Sequence, residues 1–291
     1  MSKLCLGTVQ FGTNYGIKNE LGRQPTNEES FAVLNHAILS GIRAFDTASI
    51  YGNAEILLGK YGLANKNVKI ISKFPPDCTP LKECVISACK ESLSRLKAKV
   101  IDGYLLHDAA DYYKKEIIQG LQLAKEQGLV KHIGVSIYEP EDALAVIKDG
   151  IVDYIQVPYN VFDQRLDECH FFEVAQEQGI TVFARSAFLQ GLLLMEKKNI
   201  PIGLKEAMPY IDQFENISKQ YGFTRLEAAF LYSYVHPGID FVVFGVDNVE
   251  QLQANIVLVK KADMFKDCFS ELHGAFKNID RKIIIPSLWG K

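Results

Sequence analysis

The stretch Gly41-Ile42-Arg43-Ala44-Phe45-Asp46-Thr47-Ala48-Ser49-Ile50-Tyr51-Gly52-Asn53-Ala54-Glu55-Ile56-Leu57-Leu58-Gly59 holds one complete strand, loop and helix. Ile42 to Phe45 read as a short buried strand. Gly52-Asn53 breaks the chain, and Ala54 opens a helix. Between them an acid, Asp46, and a phenol, Tyr51, share one strand-to-helix loop. An aromatic there has little to pack against, so Tyr51 is a candidate proton donor.

The same unit repeats outward in both directions. Apolar runs predict strands over 3–7, 44–46, 68–73, 101–107, 132–136, 154–157, 181–184 and 241–245. Amphipathic stretches predict helices over 27–39, 54–61, 80–96, 114–127, 140 to Gly150, 169–178, 204–220, 225–235 and 249–260, with a long loop over 185–201. A tail over 261–291 carries one more helix and the single tryptophan, Trp289. No Pro/Ser-rich linker and no shift of composition divides the chain. Continuous apolar strands separated by helices mean a parallel sheet covered on both faces. Eight such units predict an α/β fold: a single (β/α)8 TIM barrel occupying residues 1–291, its C-terminal helical tail (about 261–291) packing near the barrel mouth. An open doubly wound sheet would carry G-x-G-x-x-G after its first strand. Here that position reads Gly7-Thr8-Val9-Gln10-Phe11-Gly12, without the third glycine in register.

The totals narrow the function. With 291 residues, a formal charge of −3 and no basic stripe, phosphate-neutralising nucleic-acid binding is disfavoured. No apolar run approaches the roughly 20 residues that span a bilayer. Met1-Ser2-Lys3-Leu4 leads straight into a strand with no signal-peptide core, so a cytoplasmic protein is expected. Cys5, Cys78, Cys84, Cys89, Cys169 and Cys268 form no CxxC pair and have no histidine at zinc spacing. They are expected to be reduced thiols, and no metal site is expected.

Barrel chemistry sits at the C-terminal ends of the strands. Strand two delivers Asp46 and then Tyr51, strand three Lys73, strand four His107. Each has a plain alternative: a turn cap, loop packing, a solvated lysine, a satisfied buried histidine. Four such coincidences at one rim are less economical than one site. A free tyrosine has a pKa of about 10. A nearby ammonium should lower it. Asp46 can hold the lysine charged and in place, and the imidazole can hydrogen-bond a substrate carbonyl oxygen.

With these residues in view, the chain resembles the aldo-keto reductases over nearly all of its length. The resemblance rests on Leu6-Gly7-Thr8, the passage Gly41 to Gly52, Lys73, Leu105-Leu106-His107 and Gly134-Val135-Ser136. It continues through Gln156-Val157-x-Tyr159-Asn160, Gln190-Gly191-Leu192-Leu193 and Phe244-Gly245-Val246-x-Asn248-x-x-Gln251-Leu252-x-x-Asn255. It implies an oxidoreductase that reduces an aldehyde or ketone, with Asp46, Tyr51, Lys73 and His107 as catalytic tetrad. It implies a nicotinamide dinucleotide, NADP or NAD, across the barrel mouth. Gly7, Thr8 and Asp46 would lie by the nicotinamide ribose, and Ser136 and Gln156 at the carboxamide. The loop with Ser186, Phe188 and Gly191 would surround the pyrophosphate. Gly245, Asp247, Asn248, Gln251 and Asn255 would take the adenosine end, where a helix N-terminus offers free N–H groups.

Three positions depart from the family pattern. Ile137 follows Ser136 where an asparagine is usual. Arg185 follows Ala184 where an aromatic often stacks on the nicotinamide, so Arg185 either replaces that ring or binds a charged substrate group. Gln251 stands where NADP-preferring members carry arginine, and between Phe244 and Asn255 there are two acids, Asp247 and Glu250, and no base. NAD is therefore a contender. The loops that would select a small-molecule carbonyl include Asp108, Tyr138, Arg185 and Trp289; they are polar and aromatic together, which favours a polar, sugar-derived carbonyl over a steroid. The alternative reading is a catalytically weak NAD(P)(H)-sensing regulator on the same barrel.

Overall fold

Residue-by-residue hydrogen bonding closes the sheet on itself: Cys5 of the first strand pairs with Ala44 on one side and with Val243 of the last strand on the other. The computed structural model describes residues 2–15, 22–76 and 78–289. Its strands are β1 Leu4–Gly7, β2 Ala44–Asp46, β3 Lys69–Phe74, β4 Ile101–Leu106, β5 Val130–Ser136, β6 Tyr154–Pro158, β7 Thr181–Arg185 and β8 Phe241–Phe244. All are parallel and neighbour each other in chain order, so the expected (β/α)8 barrel is present.

Strand residues alternate between two cores because successive side chains point to opposite faces. Cys5, Ala44, Ile71, Leu105, Tyr154, Phe183 and Val243 fill the barrel interior. Leu6, Phe45, Ile70, Leu106, Ile155 and Val182 face the helical layer. Size is matched across the interior: a Cβ at Gly103 would lie 2.8 Å from the Tyr154 ring. Moving two residues on from the interior layer reaches Gly7, Asp46, Lys73, Ser136, Gln156 and Arg185. That step carries the barrel from apolar filling to a polar mouth. His107 and Gly245 follow in the same phase, one residue beyond the ends of β4 and β8.

The helices start where the sequence offers caps. Thr26 and Glu29 form a capping box at Asn27–Leu39, and Thr224 and Glu227 do the same for Arg225–Val235. Several boundaries differ from the periodicity reading. β5 begins at Val130 because Ile101 pairs with it, and β7 includes Arg185 because Pro158 pairs with it. The helix expected from 204 begins as a 3-10 segment, Ile202–Ala207, before Met208–Gln220. The tail holds Lys266–Ala275 and also a one-turn helix, Arg281–Ile284. Neighbour pairing decides strand ends, and periodicity within one strand does not report it. No helix among the described residues is long and apolar enough to cross a membrane.

Two glycines place the Tyr51 loop. A Cβ at Gly12 would lie 1.7 Å from the Tyr51 carbonyl oxygen, and one at Gly52, whose φ is +53°, would lie 2.2 Å from the Gly12 oxygen. The one-turn helix Val9–Gly12 therefore packs backbone to backbone against the loop. Behind the loop, Glu55 is 2% exposed and bridges two elements: it accepts from Ser72 Oγ at 2.5 Å and from Arg95 Nε at 2.6 Å. Glu55→Ala leaves a guanidinium and a buried hydroxyl without their acceptor. We expect it to lower unfolding free energy by about 3–5 kcal/mol in urea titration; a loss below about 1 kcal/mol, the level of a surface pair, would contradict this role.

Candidate active site

The mouth of the barrel centres on an ion pair. Lys73 ends its side chain on both carboxylate oxygens of Asp46, at 2.7 and 2.8 Å, and on the Thr47 carbonyl at 3.1 Å. Lys73 is 1% exposed and Asp46 4%. Burial alone would drive Lys73 toward its neutral form, but Asp46, with Tyr51, offsets it and holds the pKa above its ordinary value. Gln156 Nε2 donates to Asp46 Oδ1 at 2.6 Å. Thr8 donates twice, through N and Oγ1, to the Asp46 carbonyl, each at 2.9 Å. The acid is thus held from β3, from β6 and from the residue that follows β1.

Tyr51 lies against this pair, with the Lys73 ammonium 5.2 Å from its ring centroid. Its ring meets His107 edge to face at 5.7 Å. The expectation that lysine lowers the phenol pKa needs correction in its net result. Burial raises that pKa, Lys73 and Arg185 pull it back, and burial wins. Tyr51 is therefore a neutral phenol at physiological pH, a state that can give a proton. His107 behaves in the opposite sense. Burial first, then the charges of Lys73 and Arg185, push it down to about 3. Its Nδ1 is buried with no protein partner.

A cavity of about 740 Å³ opens over these groups, within the range of small-molecule and cofactor sites. Asp46, Tyr51 and His107 line one end; Asp247, Gln251 and Asn255 line the other. Gly7, Thr8, Ser136 and Gln156 line it too, as do Tyr138, Arg185, Ser186, Phe188, Gly191 and Gly245. The wall fits a dinucleotide. Ser186, Leu189, Gln190 and Gly191 all have positive φ (68°, 48°, 52° and 97°), a run that costs backbone strain, and Ser186, Gln190 and Gly191 of it line the cavity. Gln10 Oε1 is a buried acceptor without a protein partner, and a Cβ at Gly245 would lie 2.2 Å from the same side chain.

Some expected residues are not brought to the wall. Lys73 lies beneath it, acting through Asp46 and Tyr51. Asn248 caps the helix Val249–Leu258, accepting from Gln251 N at 2.8 Å, so that N–H is already used. Asp108 caps the 3-10 turn Ala109–Tyr113 by accepting from Ala110 N. Trp289 donates from Nε1 to Ile283 O at 3.1 Å and braces the tail. Pro286 and Ser287 are the tail residues at the cavity. Local capping and bracing take these side chains away from the site, and neither can be read from loop membership. Conversely, Gln10, Tyr15, Thr224 and Arg225 line the cavity and are not among the expected residues, while Gln190 lines it from within the expected loop at Ser186 to Gly191. Gln10 and Gln190 sit inside quoted motifs, which was the available signal; Arg225 comes from a helix distant in sequence from Gly245–Asn255.

The model described as the Aldo/keto reductase family matches residues 3–273, and the chain belongs to that family, which acts on carbonyl compounds and uses nicotinamide cofactors. It is 26% identical over 281 residues to the uncharacterized oxidoreductase YqkF of Bacillus subtilis strain 168, covering 88% of this chain and 86% of that one. It is 29% identical over 180 residues to the glyoxal reductase of the same organism, covering 61% and 63%. The structure of aldo-keto reductase AKR11C1 from Bacillus halodurans, in its holo form, superposes with a TM-score of 0.74 at 22% identity over 91% of each chain, a likeness of fold.

The histidine makes a direct test. With a folded pKa of about 3 against about 6.5 unfolded, His107 is neutral above the ordinary histidine range. Its contribution to stability is fully present above the unfolded value and is lost as pH falls toward the folded one. NMR titration should show the His107 ring unchanged between about pH 5 and 8. A His107 midpoint near 6.5 would overturn this account.

Proposed function

We propose that the cavity reduces an aldehyde or ketone to an alcohol, with Tyr51 as the proton donor. The observation that carries this is the contact of a neutral phenol with a buried Asp46–Lys73 pair and a neutral imidazole in one cavity. The hydride for the carbonyl carbon would come from a reduced nicotinamide held by the residues of this cavity. Tyr51 gives its hydroxyl proton to the carbonyl oxygen, so C=O becomes CH–OH. The ammonium of Lys73 lowers the energy of the phenolate left behind, and Asp46 keeps Lys73 charged and placed. His107, neutral, is poised to donate one hydrogen bond to the carbonyl oxygen and orient the substrate. Thr8, Ser136 and Gln156 would hold the nicotinamide half, the strained loop at Ser186 to Gly191 the pyrophosphate, and Asp247, Gln251 and Asn255 the adenosine.

The substrate is a polar carbonyl, sugar-derived compounds included, because Tyr15, Tyr138, Gln190 and Arg185 surround the approach to Tyr51. A regulator that only sensed nucleotide would have no use for a proton donor set against a buried ion pair, so the enzyme reading is preferred. Tyr51→Phe keeps the ring and removes the proton. Turnover should fall by about 10²–10⁴-fold while cofactor affinity is retained; undiminished turnover would remove Tyr51 from the mechanism.

We infer further that NAD(H) is accepted. Asp247 at the adenosine end repels a 2′-phosphate, and the Gln251 amide carries no charge to attract one. Arg225 brings a base to that wall from another helix, but its guanidinium is engaged, donating to Met195 O at 3.0 Å and lying 3.7 Å from Glu215. Fluorescence titration should give an NADH dissociation constant no more than about tenfold weaker than that for NADPH, a gap of ~1.4 kcal/mol. A much stronger preference for NADPH that collapses in Arg225→Gln would overturn the inference and assign the phosphate to Arg225.

A further inference from the structure

Among the described residues Arg185 has no carboxylate counter-ion, and it lines the cavity together with Tyr51 and His107. It closes β7, where its backbone pairs with Pro158 of β6. Its side chain leans across β6 toward the loop after β5: the guanidinium carbon lies 4.0 Å from the Tyr138 ring centroid, and Nη2 points to the Ile137 carbonyl at 3.5 Å. That direction is away from β8 and the Asp247–Asn255 end. The charge acts instead on Tyr51 and His107, the two groups over which a carbonyl would sit.

The fork is unspent. A guanidinium has five N–H donors, and among the described residues its side chain makes two hydrogen bonds, to Ser186 Oγ and Ile137 O, both at 3.5 Å. Among the described residues no carboxylate pairs with it. The neighbouring acids are committed elsewhere: Asp163 to Arg165 at 2.8 Å, and Glu139 to Arg281 at 2.7 Å and to Arg165 at 3.2 Å. Asp46 is taken by Lys73.

The aromatic under the guanidinium is held as a platform. Arg165 Nη2 donates to the Tyr138 carbonyl at 3.2 Å. The next residue, Glu139, is clamped by both nitrogens of Arg281 from the tail, at 2.7 and 2.8 Å. Tyr138 is therefore held through its own carbonyl and through the residue that follows it, and Arg185 seated on it presents its donors in one plane. A planar, preorganised fork with free N–H groups matches a carboxylate or a phosphate, which accept two parallel hydrogen bonds.

Resting on the carbonyl-reductase reading of the same site, we propose that Arg185, seated on Tyr138, is an anion clamp that selects carbonyl substrates bearing a carboxylate or phosphate group. The anion would dock on the guanidinium while the carbonyl oxygen reaches Tyr51 and His107. The chemistry of reduction is unchanged; the anion is bound and is neither transferred nor oxidised.

The test compares aldehydes of one shape and different charge: 4-carboxybenzaldehyde, 4-formylphenyl phosphate and neutral 4-methylbenzaldehyde. For the natural chain, kcat/KM should be higher for at least one anionic aldehyde than for the neutral one. In Arg185→Gln, the ratio of anionic to neutral kcat/KM should fall by about 10- to 100-fold, carried by KM. A ratio cancels any general loss of cofactor binding. Arg185→Lys, which keeps charge and loses the fork, should restore part of it. Which anion loses more identifies the group. A ratio unchanged in Arg185→Gln, with all three aldehydes slowed alike and cofactor affinity weakened, would overturn the clamp and give Arg185 to the cofactor. If no aldehyde is reduced at all, the reductase reading fails. The clamp is then judged by calorimetric binding of 4-carboxybenzaldehyde and 4-methylbenzaldehyde in the presence of NAD⁺, where an equal affinity for both would overturn it. Should Arg185→Gln not fold, Tyr138→Leu, at a side chain 42% exposed, carries the same comparison through loss of the platform.

Discussion

The buried pair between Asp46 and Lys73 is the constraint around which the mouth of this barrel is arranged. Both partners are almost completely removed from water, and desolvating two such ions costs more than their attraction alone returns unless further hydrogen bonds are supplied. Here they are: Gln156 to the carboxylate and Lys73 to the Thr47 carbonyl. The pair contributes little to fold stability in such an arrangement, but it ties the mouth ends of β2 and β3 together, with Gln156 of β6 on the same carboxylate, and leaves a positive charge beside the Tyr51 ring. A phenol in that position is neutral and still has somewhere favourable to leave its negative charge.

The same geometry explains why so much polarity can sit at the end of an apolar barrel. Strands alternate with period two, so each interior residue such as Ala44, Ile71 or Phe183 is followed two positions later by Asp46, Lys73 or Arg185 in the layer above. Small and large interior residues are matched, as Gly103 is to the Tyr154 ring, and this close packing supports the layer above. The strained turn at Leu189 to Gly191 and the close contact of Gly12 with the Tyr51 loop are affordable on that base. Preorganisation at the mouth is thus a consequence of ordinary packing below.

Much of the site was legible in the chain. Asp46, Tyr51, Lys73 and His107 follow predicted strands, and strand ends converge in any closed parallel barrel. Ser136 and Gln156 could be placed by the same logic. Residues chosen by loop membership fared differently. Asp108 turned to cap its own segment, and Trp289 to brace the tail, because a nearby backbone group was available to each. The electrostatic outcome at Tyr51 was also hidden: the sign of the lysine effect was evident, but the magnitude of burial was not, and burial decides the net shift.

Arg185 shows the division most clearly. Its identity, at a position where family members often carry an aromatic ring, was visible in the chain, and it left two roles open. The direction of its side chain, across β6 and onto Tyr138, depends on Arg165 and Arg281 pinning that loop from elements far away in sequence. Periodicity, caps and the order of chemical groups along the chain determined the barrel and the membership of its rim, because these are local properties of strands and helices. Which groups are desolvated, which charges find partners and which remain free were decided only in the folded molecule, because burial and ion pairing are set by neighbours that the sequence does not place side by side.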